Sequence, residues 1–159
     1  MTRLYGRAPG GERAVGKVPR NYGENLSVIG AINLQGVVTS MTIDGAVDGL
    51  AFSAFVENFL VPKLKPGQIV IMDNLNIHLS DRVESLITQA KASIIYLPPY
   101  SPDYSPIENF WSKVKACLRA VGARTKRKLL KALAQAFDSV TTDDIHGWFK
   151  LCGYKVAFI

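Results

Sequence analysis

The chain has 159 residues, 48% of them hydrophobic, and a formal charge of +6. That composition suits one domain with a buried core and excludes a disordered tail. No apolar stretch reaches the ~18 residues of a membrane span, and the first residues, Met1 to Arg7, lack the apolar segment of a secretory signal.

The first 24 residues are rich in glycine, at Gly6, Gly10, Gly11 and Gly16 among others. With two prolines and five basic residues, Arg3, Arg7, Arg13, Lys17 and Arg20, they read as an irregular arm. Residues 25–159 read as the folded domain. Two β-rich runs follow the arm, Leu26 to Leu34 and Val37 to Ile43, flanking Gln35-Gly36, which is a hairpin signal. Residues 46–60 place Val47, Leu50, Ala51, Phe55 and Phe59 at helical spacing. Residues 68–72 are a short apolar strand, expected to be covered on both faces. The spacing predicts a helix over 81–92 with Val83, Leu86, Ile87 and Ala90 inward, then a buried strand at 93–97. Four prolines between 98 and 106 forbid regular structure there. A helix starts near Pro106 with the stripe Ile107, Phe110, Trp111, Val114, Leu118 and Val121, and another near Lys126. Thr142 or Asp143 is expected to cap a last short helix that Gly153 closes. The order is that of an α/β domain with a mixed sheet flanked by helices.

Cys117 and Cys152 have no metal-like spacing and fit a reducing, cytoplasmic setting. Positive charge is clustered. Between Glu108 and Asp138 there is no acidic residue, while Lys113, Lys115, Arg119, Arg124, Lys126, Arg127, Lys128 and Lys131 all lie there. Clustered cations attract a polyanion, most often nucleic acid; a solvated helix face is the plainer explanation for any single basic helix.

Two acids stand out by position. Asp73 ends a buried strand, at the edge where α/β sheets build sites. Glu108 lies in the first turn of a helix behind a rigid loop. Two-metal phosphodiester cleavage needs carboxylates converging from separate elements. Each has a plainer reading. Asp73-Asn74 can close a strand in an Asx turn, and Ser105-Pro106-Ile107-Glu108 has the form of a capping box. Asp44 and Asp48 bracket a turn and can cap a helix, Asp103 lies in a proline turn, and His78 alone proves little.

The stretches "VIMDNLNIH" and "IIYLPPYSPDYSPIENFWSKVK" resemble the catalytic domain of DDE transposases, in the mariner-like superfamily and its bacterial insertion-sequence relatives. Asp73 and Glu108, with 34 residues between them, match the family's second and third acids. The hairpin and residues 52–74 resemble it too, so the likeness covers almost the whole chain. It implies an RNase H-like fold, Mg²⁺ or Mn²⁺ held by Asp73 and Glu108, supporting roles for Asn74 and His78, and cleavage and joining of transposon and target DNA by a protein that is dimeric when active. Bound to DNA, such a protein would be nucleoid-associated.

The sequence departs from the family in one respect. The family's first aspartate lies on a first, central strand upstream of the basic glycine-rich loop, and here no aspartate precedes Asp44. The expectation is a partial domain lacking that strand and acid, inactive alone, with the missing part supplied by an upstream-encoded fragment. The alternatives are a non-catalytic nucleic-acid-binding remnant and, less favoured, an unrelated metal phosphoesterase using Asp73, His78 and Glu108.

Overall fold

The computed structural model describes residues 6–15, 25–75 and 80–156. Alternating apolar residues build an antiparallel hairpin from β1 (Leu26–Asn33) and β2 (Gly36–Asp44), with a register shift between Ala31 and Ile32. Leu34 and Gln35 form the turn. Gly36 follows with φ 136°, a region that glycine enters without a Cβ clash. Next comes α1 (Gly49–Phe55), capped by Asp48, whose carboxylate accepts from Ala51 N–H at 2.8 Å. Asp48 is therefore a capping residue. The helical course continues through a π-helical turn, Val56–Leu60, and a 3₁₀ turn, Val61–Lys63.

Strand β3 (Ile69–Met72) pairs in parallel with β4 (Ser93–Tyr96), and α2 (Asp81–Gln89) provides the crossover. The last three elements are α3 (Pro106–Val121), α4 (Lys126–Asp138) and α5 (Thr142–Leu151). Gly122, at φ 58°, ends α3 in the left-handed region. Thr141 caps α5 in a reciprocal capping box with Asp144, one or two residues earlier than the expected Thr142 or Asp143.

Two apolar clusters sandwich the hairpin. Phe52, Phe55, Val56, Leu60, Val83 and Ile87 form one, against which Ile29 and Ala31 of β1 pack. Phe110, Val114, Leu118, Ala132, Leu133 and Ala136 form the other, with Val28 and Ile32 from the opposite face of β1. The period-two alternation of β1 thus serves both layers. Helix α3 comes so close to the hairpin that a Cβ on Gly30 would lie 3.2 Å from the Trp111 ring.

The strands form two separate two-stranded sheets among the described residues, β1–β2 and β3–β4. One feature differs from the sequence reading, in that strand β3 is one-sided. Val70 and Met72 pack on the first cluster, whereas Ile69 and Ile71 are 56% and 36% exposed and Ile95 of β4 is 49% exposed. The apolar run anticipated cover on both faces; among the described residues only one face of this sheet is covered.

Candidate active site

Asp73 follows the last residue of β3, beyond the point where Leu97 N–H donates to Met72 O at 2.9 Å. That bond holds the strand's end and so fixes where the aspartate leaves the sheet. Asp73 and Asn74 are both exposed. His78 lies outside the described residues.

Glu108 occupies the first turn of α3, behind the Pro98–Ser105 loop. Pro106 at the helix start is buried and presets the first turn, and Phe110, two residues past Glu108, is fully buried, so the turn carrying Glu108 is anchored. The expected capping box is not formed. Ser105 stands at the cap position, but its side chain makes no capping hydrogen bond; only its backbone carbonyl accepts, from Glu108 N–H at 3.1 Å. The Glu108 carboxylate is exposed and has no hydrogen-bond or ion-pair partner among the described residues.

Both acids line one cleft of about 500 Å³ between β1 and β3. Its walls include Phe52, Phe55 and Leu60 on one side and Ile107 and Trp111 on the other. Lys63 and Phe149 also line it. Both escape a sequence reading, because Lys63 follows a proline in an irregular turn and Phe149 sits on the last helix, far along the chain. Among the described residues no three His, Cys, Asp or Glu side chains cluster as a ready metal cage. Two carboxylates at one cleft suit a single hydrated Mg²⁺, which keeps several waters; they do not suffice to fix a pair of ions.

The basic residues divide into two groups. Lys113 pairs with Asp144, tying α3 to α5. Lys126 pairs with Asp44 at 2.6 Å, tying α4 to the end of β2. These two of the eight candidate DNA-binding residues are engaged in holding the fold. The Lys113 ammonium, with help from Thr141 N–H, lowers the Asp144 carboxyl to about 2. Arg127, Lys128 and Lys131 are all exposed on α4, Arg127 and Lys131 one helical turn apart. Lys115 is exposed and Arg119 half-buried, one helical turn apart on α3; Arg124 is exposed between the two helices.

No helix among the described residues is long and apolar enough to cross a membrane. The chain is 26% identical over 102 residues to the transposable element Tcb1 transposase of Caenorhabditis briggsae, which covers 62% of this chain and 37% of that protein. Its fold is similar to the Mos1 mariner paired-end complex with Mn, with a TM-score of 0.74 at 15% identity over 96% of this chain and 49% of that one. The Mos1 mariner catalytic domain by itself gives a TM-score of 0.61 at 15% identity, over 79% and 69% of the two chains. Another structure of that domain, with raltegravir and Mg, gives 0.60 at 15% identity over 79% and 70%. The chain thus spans about half the length of the Mos1 chain in its paired-end complex. The fold class is that expected from the sequence, a mixed α/β, RNase H-like arrangement of small sheets flanked by helices. Residues 1–130 match the DDE superfamily endonuclease family, and the chain belongs to it.

Proposed function

We propose that this chain is the catalytic part of an insertion-sequence transposase that cleaves DNA and transfers the freed strand, with Asp73 and Glu108 as its metal-holding acids. One observation carries the reading. The two acids rise from different elements, the tip of β3 and the first turn of α3, yet line the same cleft, and Glu108 has no competing partner among the described residues.

A bound Mg²⁺ or Mn²⁺ would activate the attacking water and offset charge developing on the phosphate. Asp73 and Glu108 would hold that ion, and Asn74 and His78 would support them. The cations Lys115, Arg119, Arg124, Arg127, Lys128 and Lys131 would hold the DNA backbone, with Lys113 and Lys126 adding charge while they brace the helices. A third acid, on an upstream-encoded fragment, would complete the site, so that the chain alone binds DNA but does not cut it. The Mos1 complexes described as paired-end and strand-transfer assemblies, and its domain structures with Mn or Mg, support DNA partners, a dimer when active and a divalent ion. The protein would act in the cytoplasm, on the nucleoid.

A nicking assay on supercoiled DNA in Mn²⁺, with the chain alone and with the upstream-encoded segment co-expressed, tests the reading. Cleavage that appears only with the segment and is lost in both Asp73→Ala and Glu108→Ala is expected. Cleavage that survives both substitutions overturns it. That only two acids line the cleft among the described residues favours one second reading, a DNA-binding remnant without catalysis; tight DNA binding with no cleavage in any combination, unchanged by Asp73→Ala, would establish it.

A further inference from the structure

Helix α5 and the residues just after it touch several parts of the cleft's surround. His146 Nε2 donates to Leu34 O in the hairpin turn at 3.0 Å, and Asp144 pairs with Lys113 of α3. Further contacts fall on the segment that carries Glu108. Tyr154, just past the end of α5, donates its hydroxyl hydrogen to Tyr104 O at 2.8 Å. Asn109 Nδ2 donates to Cys152 Sγ at 3.9 Å. Burial, and then the Asp103 charge, raise the Cys152 thiol, which places Asp103 close by as well. Phe149 lines the cleft together with Glu108.

The way α5 ends aims the Tyr154 ring. Gly153 sits in the left-handed region at φ 85°. Its N–H returns to Lys150 O at 3.0 Å, and Tyr154 N–H returns to Phe149 O at 2.9 Å. These are the two bonds of a Schellman ending. The side-chain contact that accompanies such an ending is present too, with the Tyr154 and Phe149 ring centres 5.6 Å apart. Backbone and ring are thus fixed independently of the bond to Tyr104. Burial, and then Cys152, push the Tyr154 hydroxyl up, so it stays protonated and a donor at neutral pH.

The acceptor's segment needs a tether. Tyr104 N–H donates to Ser101 O at 3.2 Å, Ser105 N–H to Pro102 O at 2.9 Å and Glu108 N–H to Ser105 O at 3.1 Å. Bonds this local fix the segment's shape but not its place in the molecule. Pro102 and Pro106 supply no amide donors, and the Ser105 side chain makes no cap. The buried Pro106 and Phe110 seat the helix itself. The turn before it is tied across the fold by Tyr154.

We propose that the end of α5 positions the candidate metal site, with Tyr154 as the positioning residue. By tying Tyr104 O to the fold, its hydroxyl sets the direction in which the first turn of α3 presents the Glu108 carboxylate to a divalent cation. The inference rests on the proposed function in taking Glu108 as a metal-holding acid. Tyr154 does not touch the ion and acts through Tyr104 and Ser105. A carboxylate already held in place loses less freedom when an ion binds, so the tether favours binding.

The test uses the whole chain, with Mg²⁺ as the probe, and amide hydrogen exchange read by NMR at Tyr104, Ser105 and Glu108. Tyr154→Phe removes the hydroxyl and keeps the ring. Loss of one hydrogen bond should speed exchange at those amides by about fivefold, with Leu129 of α4 unchanged. In the parent chain, saturating Mg²⁺ should slow the same amides relative to NaCl of equal ionic strength, because an ion that binds the seated turn better than the open one shifts it toward the seated form. Glu108→Gln should abolish that slowing at Tyr104 and Ser105. Gly122→Ala, at the far end of α3, controls for lost stability and should leave these amides as they are. Unchanged exchange in Tyr154→Phe overturns the proposal. So does an equal acceleration at Leu129 or in Gly122→Ala, which would mean general loosening. Mg²⁺ that shifts the Asp73 and Glu108 signals without slowing the amides also overturns it, and leaves the cleavage reading standing. If Mg²⁺ shifts neither signal, the metal-holding reading of the two acids fails and the positioning role falls with it.

Discussion

Replacing Arg127 and Lys128 together by alanine removes two cations from the exposed side of α4, where neither makes an ion pair with a described residue. Each cation withdrawn from a phosphate should lower the slope of log affinity against log salt by about 0.9, so the double variant should flatten it by about 1.8. Between 50 and 200 mM salt this makes the variant's loss of affinity about tenfold smaller than that of the parent chain. Fold stability should stay within about 0.5 kcal/mol, because both side chains are exposed. The assay is fluorescence anisotropy with a duplex of arbitrary sequence at five or more salt concentrations, with chemical unfolding of the same samples as a control. Lys113→Ala is the contrasting case. It should reduce stability by breaking the bond between α3 and α5, while moving the slope less than the double variant does. An unchanged slope in the double variant would refute the argument and take the α4 face away from the phosphates.

Phe110→Ala should destabilise the fold by about 3–5 kcal/mol in urea unfolding, because the ring is fully buried and packs edge-on against Trp111, with ring centres 4.8 Å apart, and at a tilt against Phe137, with centres 5.3 Å apart; a loss under about 1 kcal/mol would show that α3 is not anchored there. Asp144 titrates near 2 in the folded chain against about 3.9 when unfolded. The folded state therefore binds fewer protons, and the contribution to stability is complete above about pH 4 and lost as pH falls toward 2. Asp144→Asn should remove that part of the acid-unfolding curve, and a curve identical to the parent's contradicts the assignment. Burial, and then the nearby Asp103 charge, push the Cys152 thiol up, so Cys152 should react with iodoacetamide at pH 8 far more slowly than in urea, as read by mass spectrometry. Gly122→Ala should cost about 1 kcal/mol in thermal unfolding, since the position sits at φ 58° with open space around it and the cost is backbone strain; a neutral result would mean that the helix end relaxes.

What the sequence determined is local. The alternation of Leu26 to Ile43, the stripe from Ile107 to Leu118 and the prolines around Tyr100 mark the hairpin, α3 and the loop before it, because period, proline and turn chemistry act over a few residues. The same local rules put Asp73 at a strand tip and Glu108 in a first helical turn. The capping box shows the limit of such rules. Ser105 and Glu108 have its spacing but do not form it, while Thr141 and Asp144 do. Only the tertiary structure decided that Lys113 and Lys126 brace the fold through acids 31 and 82 residues away, and that both acids line one cleft. It alone decided that β3, uniformly apolar, has one face uncovered among the described residues. An apolar run records a preference for burial without naming the neighbour, and a strand's edge is satisfied or left open by whatever lies beside it in space, which no periodicity within the strand can encode.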